Sequence, residues 1–139
     1  MQATSFPLVS TSKTPAKSWA GRVLSGIPVA FLVFDVVIKL VHPAFVSEAS
    51  ARIGWPDAMT VPLGVLLGAC LALHLVPRTA VLGAVLLTGY LGGAVATHLR
   101  IGDPLFSHTL FPIYIGAMLW AGLYLRDARV RGALQRQAR

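Results

Sequence analysis

Acidic residues are few: five Asp and Glu stand against twelve Lys and Arg in a chain of 139. Charge of either sign reaches only 12% of the residues, where soluble domains carry ~25%. A water-soluble fold of this size needs more polar surface than that. With 55% hydrophobic residues and a mean hydropathy of +0.70, the chain reads as an integral membrane protein. Cysteine is almost absent. Cys70 stands alone inside an apolar run, which excludes an intramolecular disulfide and a CxxC redox pair. There is no HxxxH pair and no acidic ligand spacing to hold a metal or haem, so no metal site is expected. A net charge of +7 would point to nucleic acid in a soluble protein. Here the basic residues gather at the two ends of the chain, which argues for membrane topology and anionic lipid instead of nucleic acid.

Long apolar runs are what the chain has in abundance. They cover residues 20–41, 58–76, 80–97 and 110–125. A spanning helix takes ~17–25 residues, so the fourth run is short unless it starts nearer His108. The expected fold is all-α, a four-helix transmembrane bundle over residues 19–127. Residues 1–18, rich in Ser, Thr and Pro and without periodicity, read as a disordered tail. Residues 128–139 read as a solvated basic tail. Lys13 and Lys17 precede the first run as in a signal peptide, but the run is too long and no small-residue cleavage site follows closely, so the helix is expected to be retained. Lys13, Lys17, Arg22, Arg78, Arg126, Arg129, Arg131, Arg136 and Arg139 fall on the side of the termini, against Lys39, Arg52 and Arg100 on the other. That bias predicts cytoplasmic N- and C-termini.

This orientation collects ionisable groups at the outer boundary. His98, Arg100, Asp103 and His108 lie in the joint between the third and fourth spans. Asp35, Lys39 and His42 follow one another at spacings of four and three, on one face of the first. Asp35 lies six residues before the end of its run, roughly 9 Å into the hydrocarbon. An acid there costs ~2.5–3.5 kcal/mol on insertion scales, so it must face the bundle and have a partner, and Lys39 is one turn away. Two readings stay open: an ion pair that fixes the first helix, or one wall of a functional pocket. His42, His98 and His108 equally suit a membrane interface. His74, near the inner end of the second span, is expected to snorkel toward the headgroups. Gly64 and Gly68, and Gly89 and Gly93, form small-xxx-small pairs that are expected to close the second and third spans into a hairpin. Tyr90, Ala94, Thr97 and His98 flank that seam and can line a cavity opening outward. In "THLRIGDPLFSH", Thr97 and His98 are expected to end the third helix, Gly102 and Pro104 to turn, His108 to open the fourth helix, and Arg100 to pair with Asp103.

The order "FDVVIKL", "RIGWP", "LVPRTAVLGAVLLTGYLGGAVATHLRIGDPLFSHTLFPIY" and "LYLRD", covering Arg22 to Asp127, resembles the DoxX-like membrane proteins of bacteria. The resemblance implies a four-helix bundle in the bacterial inner membrane, with Asp35, Lys39, His98, Arg100, Asp103 and His108 as parts of the family pattern. Its name-giving relatives are associated with quinone-linked sulfur oxidation and others with membrane redox complexes, but no cofactor-binding motif carries those activities over. The expectation is a subunit or binding module that holds a small apolar molecule, quinone foremost. Its cavity would have a polar mouth drawn from Asp35, Lys39, His42, Tyr90, Thr97, His98, Arg100, Asp103 and His108. A membrane redox protein or a second copy of the chain would be its partner. The alternatives are a small membrane enzyme that uses Asp and His as acid and base on a lipid-like substrate, and a purely structural partner.

Overall fold

A computed structural model describes residues 15–137, with side-chain surroundings over 19–132. It contains α1 (Pro15–Val41), α2 (Ala44–Arg52), α3 (Thr60–Leu75), α4 (Ala80–Arg100), α5 (Phe111–Arg126) and α6 (Ala128–Gln137). A 3₁₀ turn over Asp57–Met59 leads into α3, and a π turn over Leu105–Thr109 leads into α5. Among the described residues, four segments are long and apolar enough to cross a bilayer: Trp19–Val41, Asp57–Leu75, Ala80–Arg100 and Leu105–Arg126. The π turn supplies the length that the fourth apolar run lacked.

The four spans form a closed ring, α1 against α3, α3 against α4, α4 against α5 and α5 against α1. Each contributes to one core, in which Leu32, Leu67, Leu71, Leu87, Leu91, Ile115 and Leu119 are buried together with Cys70. Phe34, Val65, Leu66, Leu82, Val85 and Ile113 point outward and are exposed. Lipid covers such a surface, and helices satisfy their own backbone polar groups within it. Pro28 interrupts the α1 hydrogen-bond ladder and is itself fully buried.

Glycine sets the close approaches, though not where small-residue spacing suggested. A Cβ on Gly64 would stand 2.8 Å from the Cβ of Lys39, and one on Gly68 would meet Val36, so both face α1. A Cβ on Gly89 or Gly93 would meet nothing within 4 Å beyond its own helix. The α3–α4 hairpin closes through Gly83 instead, where a Cβ would stand 2.2 Å from the His74 backbone nitrogen. Spacing identifies glycine pairs but not the partner across the seam. The α1–α5 crossing is comparably tight, with Gly122 against Ser25 and Gly21 against Leu125.

Two tail boundaries differ from expectation. The helix begins at Pro15, so residues 15–18 are helical, while residues 1–14 of the expected tail lie outside the described residues. Residues 128–137 of the basic tail form α6. Asp127 caps that helix, accepting the Arg129 backbone N–H at 2.8 Å. Arg131 donates to the carbonyls of Tyr124 and Leu125 at the end of α5.

Candidate functional site

The distal end of the bundle, opposite the α3–α4 turn and α6, is built from three helix ends that share one device. α2 ends at Gly54, which adopts a φ of +76°, with Gly54 N–H donating to Ala51 and Trp55 N–H to Ser50. α4 ends at Gly102, φ +71°, with Gly102 donating to Leu99 and Asp103 to His98. Both are Schellman closures, in which a left-handed residue lets the chain satisfy the last carbonyls. α4 therefore runs through Thr97 and His98 to Arg100, two residues beyond the expected end. α1 ends on His42, the one described non-glycine residue with positive φ, at +54°. A side chain held there costs of order 1–3 kcal/mol. The His42 ring is anchored, with Nε2 donating to Asp57 at 2.9 Å and the Ser47 hydroxyl 3.2 Å from the same nitrogen.

The two glycine turns carry the same pattern, Arg52-Ile53-Gly54-Trp55-Pro56 and Arg100-Ile101-Gly102-Asp103-Pro104, and they clasp each other. Arg52 reaches the Asp103 carboxylate at 3.5 Å, and Arg100 donates to the Ile53 carbonyl. Trp55 Nε1 donates to Thr97 at 3.4 Å. A Cβ at Gly54 would come 3.0 Å from the tip of the Arg100 guanidinium, a mild crowding beside the positive φ that favours glycine there. The expected Arg100–Asp103 pair does not form. Asp103 instead accepts from His98 Nδ1 at 2.6 Å and faces Arg52. These contacts hold its carboxyl below the ordinary carboxylate range, the His98 hydrogen bond first and the Arg52 charge after it. Arg52 and Trp55 were missed as candidates. They stand 51 and 42 residues from their partners, and the repeated R-I-G-x-P pattern was the available signal.

The remaining candidates divide into separate groups. Asp35 and Lys39 form the expected ion pair along one turn of α1, with the Lys39 stem against Gly64 of α3. Tyr90 packs on the core cluster. His108 is exposed, bonded to Ser107, with its ring edge-on to His98 at 6.1 Å. Among the described residues, no hydrogen bond or ion pair joins Asp35 and Lys39 to the His98–Asp103 group. Nor does any group of three His, Cys, Asp or Glu side chains gather as metal ligands would.

An apolar cavity of about 420 Å³ lies elsewhere, between α4 and α5. Leu91, Gly92, Val95, Pro112, Gly116 and Trp120 line it, with Thr88 beside Trp120. Thr88, Gly92, Ile113 and Ala117 are exposed on the outer surface of the bundle, so it opens sideways into lipid. Its polar corner is a relay in which Trp120 Nε1 donates to the Thr88 hydroxyl at 2.9 Å and that hydroxyl donates to the Ala84 carbonyl at 2.8 Å. None of the nine expected site residues lines this cavity. Seven of them follow charge, which an apolar cavity lacks, and Tyr90 and Thr97 follow the Gly89–Gly93 seam, which does not border this cavity.

A family model described as the DoxX-like family matches residues 23–122. The chain belongs to the DoxX-like family. The matched segment holds the distal clasp, the Asp35–Lys39 pair and the α4–α5 cavity of this DoxX-like protein. It ends before Arg126 and α6. No curated protein and no solved structure matches the chain.

At the proximal end, His74 does not snorkel. It is fully buried, with Nδ1 3.1 Å from the Ala80 carbonyl and Nε2 3.2 Å from the Arg126 guanidinium. The Gly83 approach draws the α3–α4 hairpin over the ring, and the ring's polar atoms are satisfied inside the protein instead of by headgroups.

Proposed function

We propose that this DoxX-like protein is a binding module of the bacterial inner membrane that takes a small apolar molecule from the bilayer into the α4–α5 cavity. The observation that carries this reading is the sideways opening of an apolar space of about 420 Å³, within the ~300–1,000 Å³ usual for ligand sites. A ligand dissolved in lipid needs a lateral entrance of this kind and no passage through water. Quinone is the ligand class we favour, because its flat ring suits the space between Pro112 and Trp120 and its carbonyl can accept the Trp120 N–H in place of Thr88. A membrane redox protein or a second copy of the chain would then use the bound molecule.

The enzyme reading has less support. The carboxylates that would act as acid or base are engaged, Asp35 by Lys39 and Asp103 by His98 and Arg52, and neither lines the cavity. Decylubiquinone titrated into the detergent-purified protein should quench tryptophan fluorescence saturably. Gly92→Leu should abolish that quenching while leaving the melting temperature close to that of the parent, because Gly92 faces open space. Unchanged saturable quenching in Gly92→Leu would remove the cavity from the proposal.

A further inference from the structure

The second cavity lies at the proximal end, where α3 turns into α4 and α5 passes into α6. It holds about 340 Å³ and is lined by His74, Pro77, Leu123, Arg126, Asp127 and Arg129, with Leu75 and Ala80 completing the wall. Its apolar floor is continuous with the buried cluster of Ala80, Ala84 and Leu123, onto which Val130 of α6 packs. α6 is thereby fixed over one side of the cavity.

Hydrogen-bond geometry determines what the cavity presents. The Ala80 carbonyl can only accept, so His74 Nδ1 carries a proton and donates to it. Arg126 can only donate, so Nε2 offers a lone pair and the ring is neutral. His74 adds no charge. It positions one edge of the guanidinium of Arg126, which lines the cavity. The Asp127 carboxylate is engaged in capping α6 through the Arg129 backbone N–H. The Arg129 guanidinium makes no hydrogen bond among the described residues, and Arg78 stands exposed next to Pro77. Two arginines therefore converge on a half-enclosed space at the level where the apolar spans end.

We infer that this cavity binds a phosphate anion, with Arg126 and Arg129 as its ligands and His74 as the positioning residue behind Arg126. A guanidinium fork matches phosphate oxygens in pairs, and phosphate chemistry at this depth is available from a lipid headgroup or from free phosphate. The apolar floor would take the glycerol and first methylenes of a lipid. The site is independent of the α4–α5 cavity. Arg126, Asp127 and Arg129 lie beyond the family match.

The test uses the full chain in a neutral detergent, titrated with dioctanoyl phosphatidylglycerol and, separately, with inorganic phosphate. Saturable binding that weakens about tenfold in Arg129→Gln, at an unchanged melting temperature, is the expected result. Arg126→Gln should weaken it at least as much, and Arg129→Gln decides the matter if removing the partner of His74 unfolds the protein. Binding of the lipid alone assigns a headgroup site. Comparable binding of inorganic phosphate assigns the same arginines to a soluble anion. Arg22→Gln, which removes an exposed charge from the same end, should bind like the parent. Equal losses in Arg22→Gln and Arg129→Gln, or saturable binding of neither compound, would overturn the inference.

Discussion

Asp103 joins three pieces of chain with one carboxylate: the end of α4 through His98, the turn after α2 through Arg52, and the approach to α5 through its own position. Its folded-state pKa lies below that of an unfolded Asp, ~3.9. Such a group contributes stability that is fully present above the unfolded pKa and is lost as pH falls through the folded one. The prediction is a steep fall in melting temperature as pH drops from about 4, to which Asp103 contributes. Asp103→Asn should melt lower at neutral pH and show a shallower acid limb, because the amide has no carboxylate to protonate. Thermal unfolding in detergent across that pH range measures both, and parallel acid limbs would exclude Asp103 as the clasp. How far the sequence reveals such contacts depends on separation. Asp35 and Lys39 are four apart on one helix, so the 3.6-residue period places them together. Arg52 and Asp103 are 51 apart, and no local rule brings them together. Proximity along the chain pairs Arg100 with Asp103, whereas the Schellman closure at Gly102 turns Asp103 back toward His98 and leaves Arg100 facing the Ile53 carbonyl.

Helices were readable as elements because each apolar run must be long enough to cross hydrocarbon, and that constraint acts on composition alone. Their contacts were not. Both Gly64–Gly68 and Gly89–Gly93 fit the small-xxx-small rule, yet only the first pair meets a neighbouring helix, and Gly83 has no glycine partner four residues away. The rule describes a helix surface that permits close approach, and the ring of four helices decides which surface is approached. Substitution separates the two cases. Gly83→Ala places a methyl within 2.2 Å of the His74 backbone nitrogen, and forcing the hairpin apart should cost ~1–3 kcal/mol or more. Gly89→Ala meets open space and gains helix propensity, so it should be neutral or stabilising by up to about 1 kcal/mol. Reversible unfolding in mixed micelles would rank them. A Gly89→Ala variant less stable than Gly83→Ala would show that α4 is rotated from the orientation described.

At the scale of the whole molecule the two ends differ in kind. The distal end carries Asp35, Glu48, Asp57 and Asp103, four of the five acids, and its Lys39 and Arg52 are paired with two of them. The proximal end carries Arg22, Arg78, Arg126, Arg129 and Arg131 among the described residues, with Asp127 as the one acid. Lys and Arg near span ends set orientation, and acids contribute little to it, so the proximal end is expected to face the cytoplasm with α6 along the anionic inner leaflet. The fold is compatible with either orientation, since a ring of antiparallel helices packs identically both ways up, and only charge against the membrane distinguishes them. Cys70 makes the experiment direct. It is the sole cysteine and is buried in the core, so Cys70→Ala provides a thiol-free background with a modest packing loss. In that background, Glu48→Cys should react with a membrane-impermeant maleimide on intact cells. Gly132→Cys in α6 should react only after permeabilisation, since a Cβ there would meet nothing within 4 Å among the described residues. The reverse pattern would invert the molecule, placing the phosphate site on the outer leaflet and the Arg52–Asp103 clasp on the cytoplasmic side.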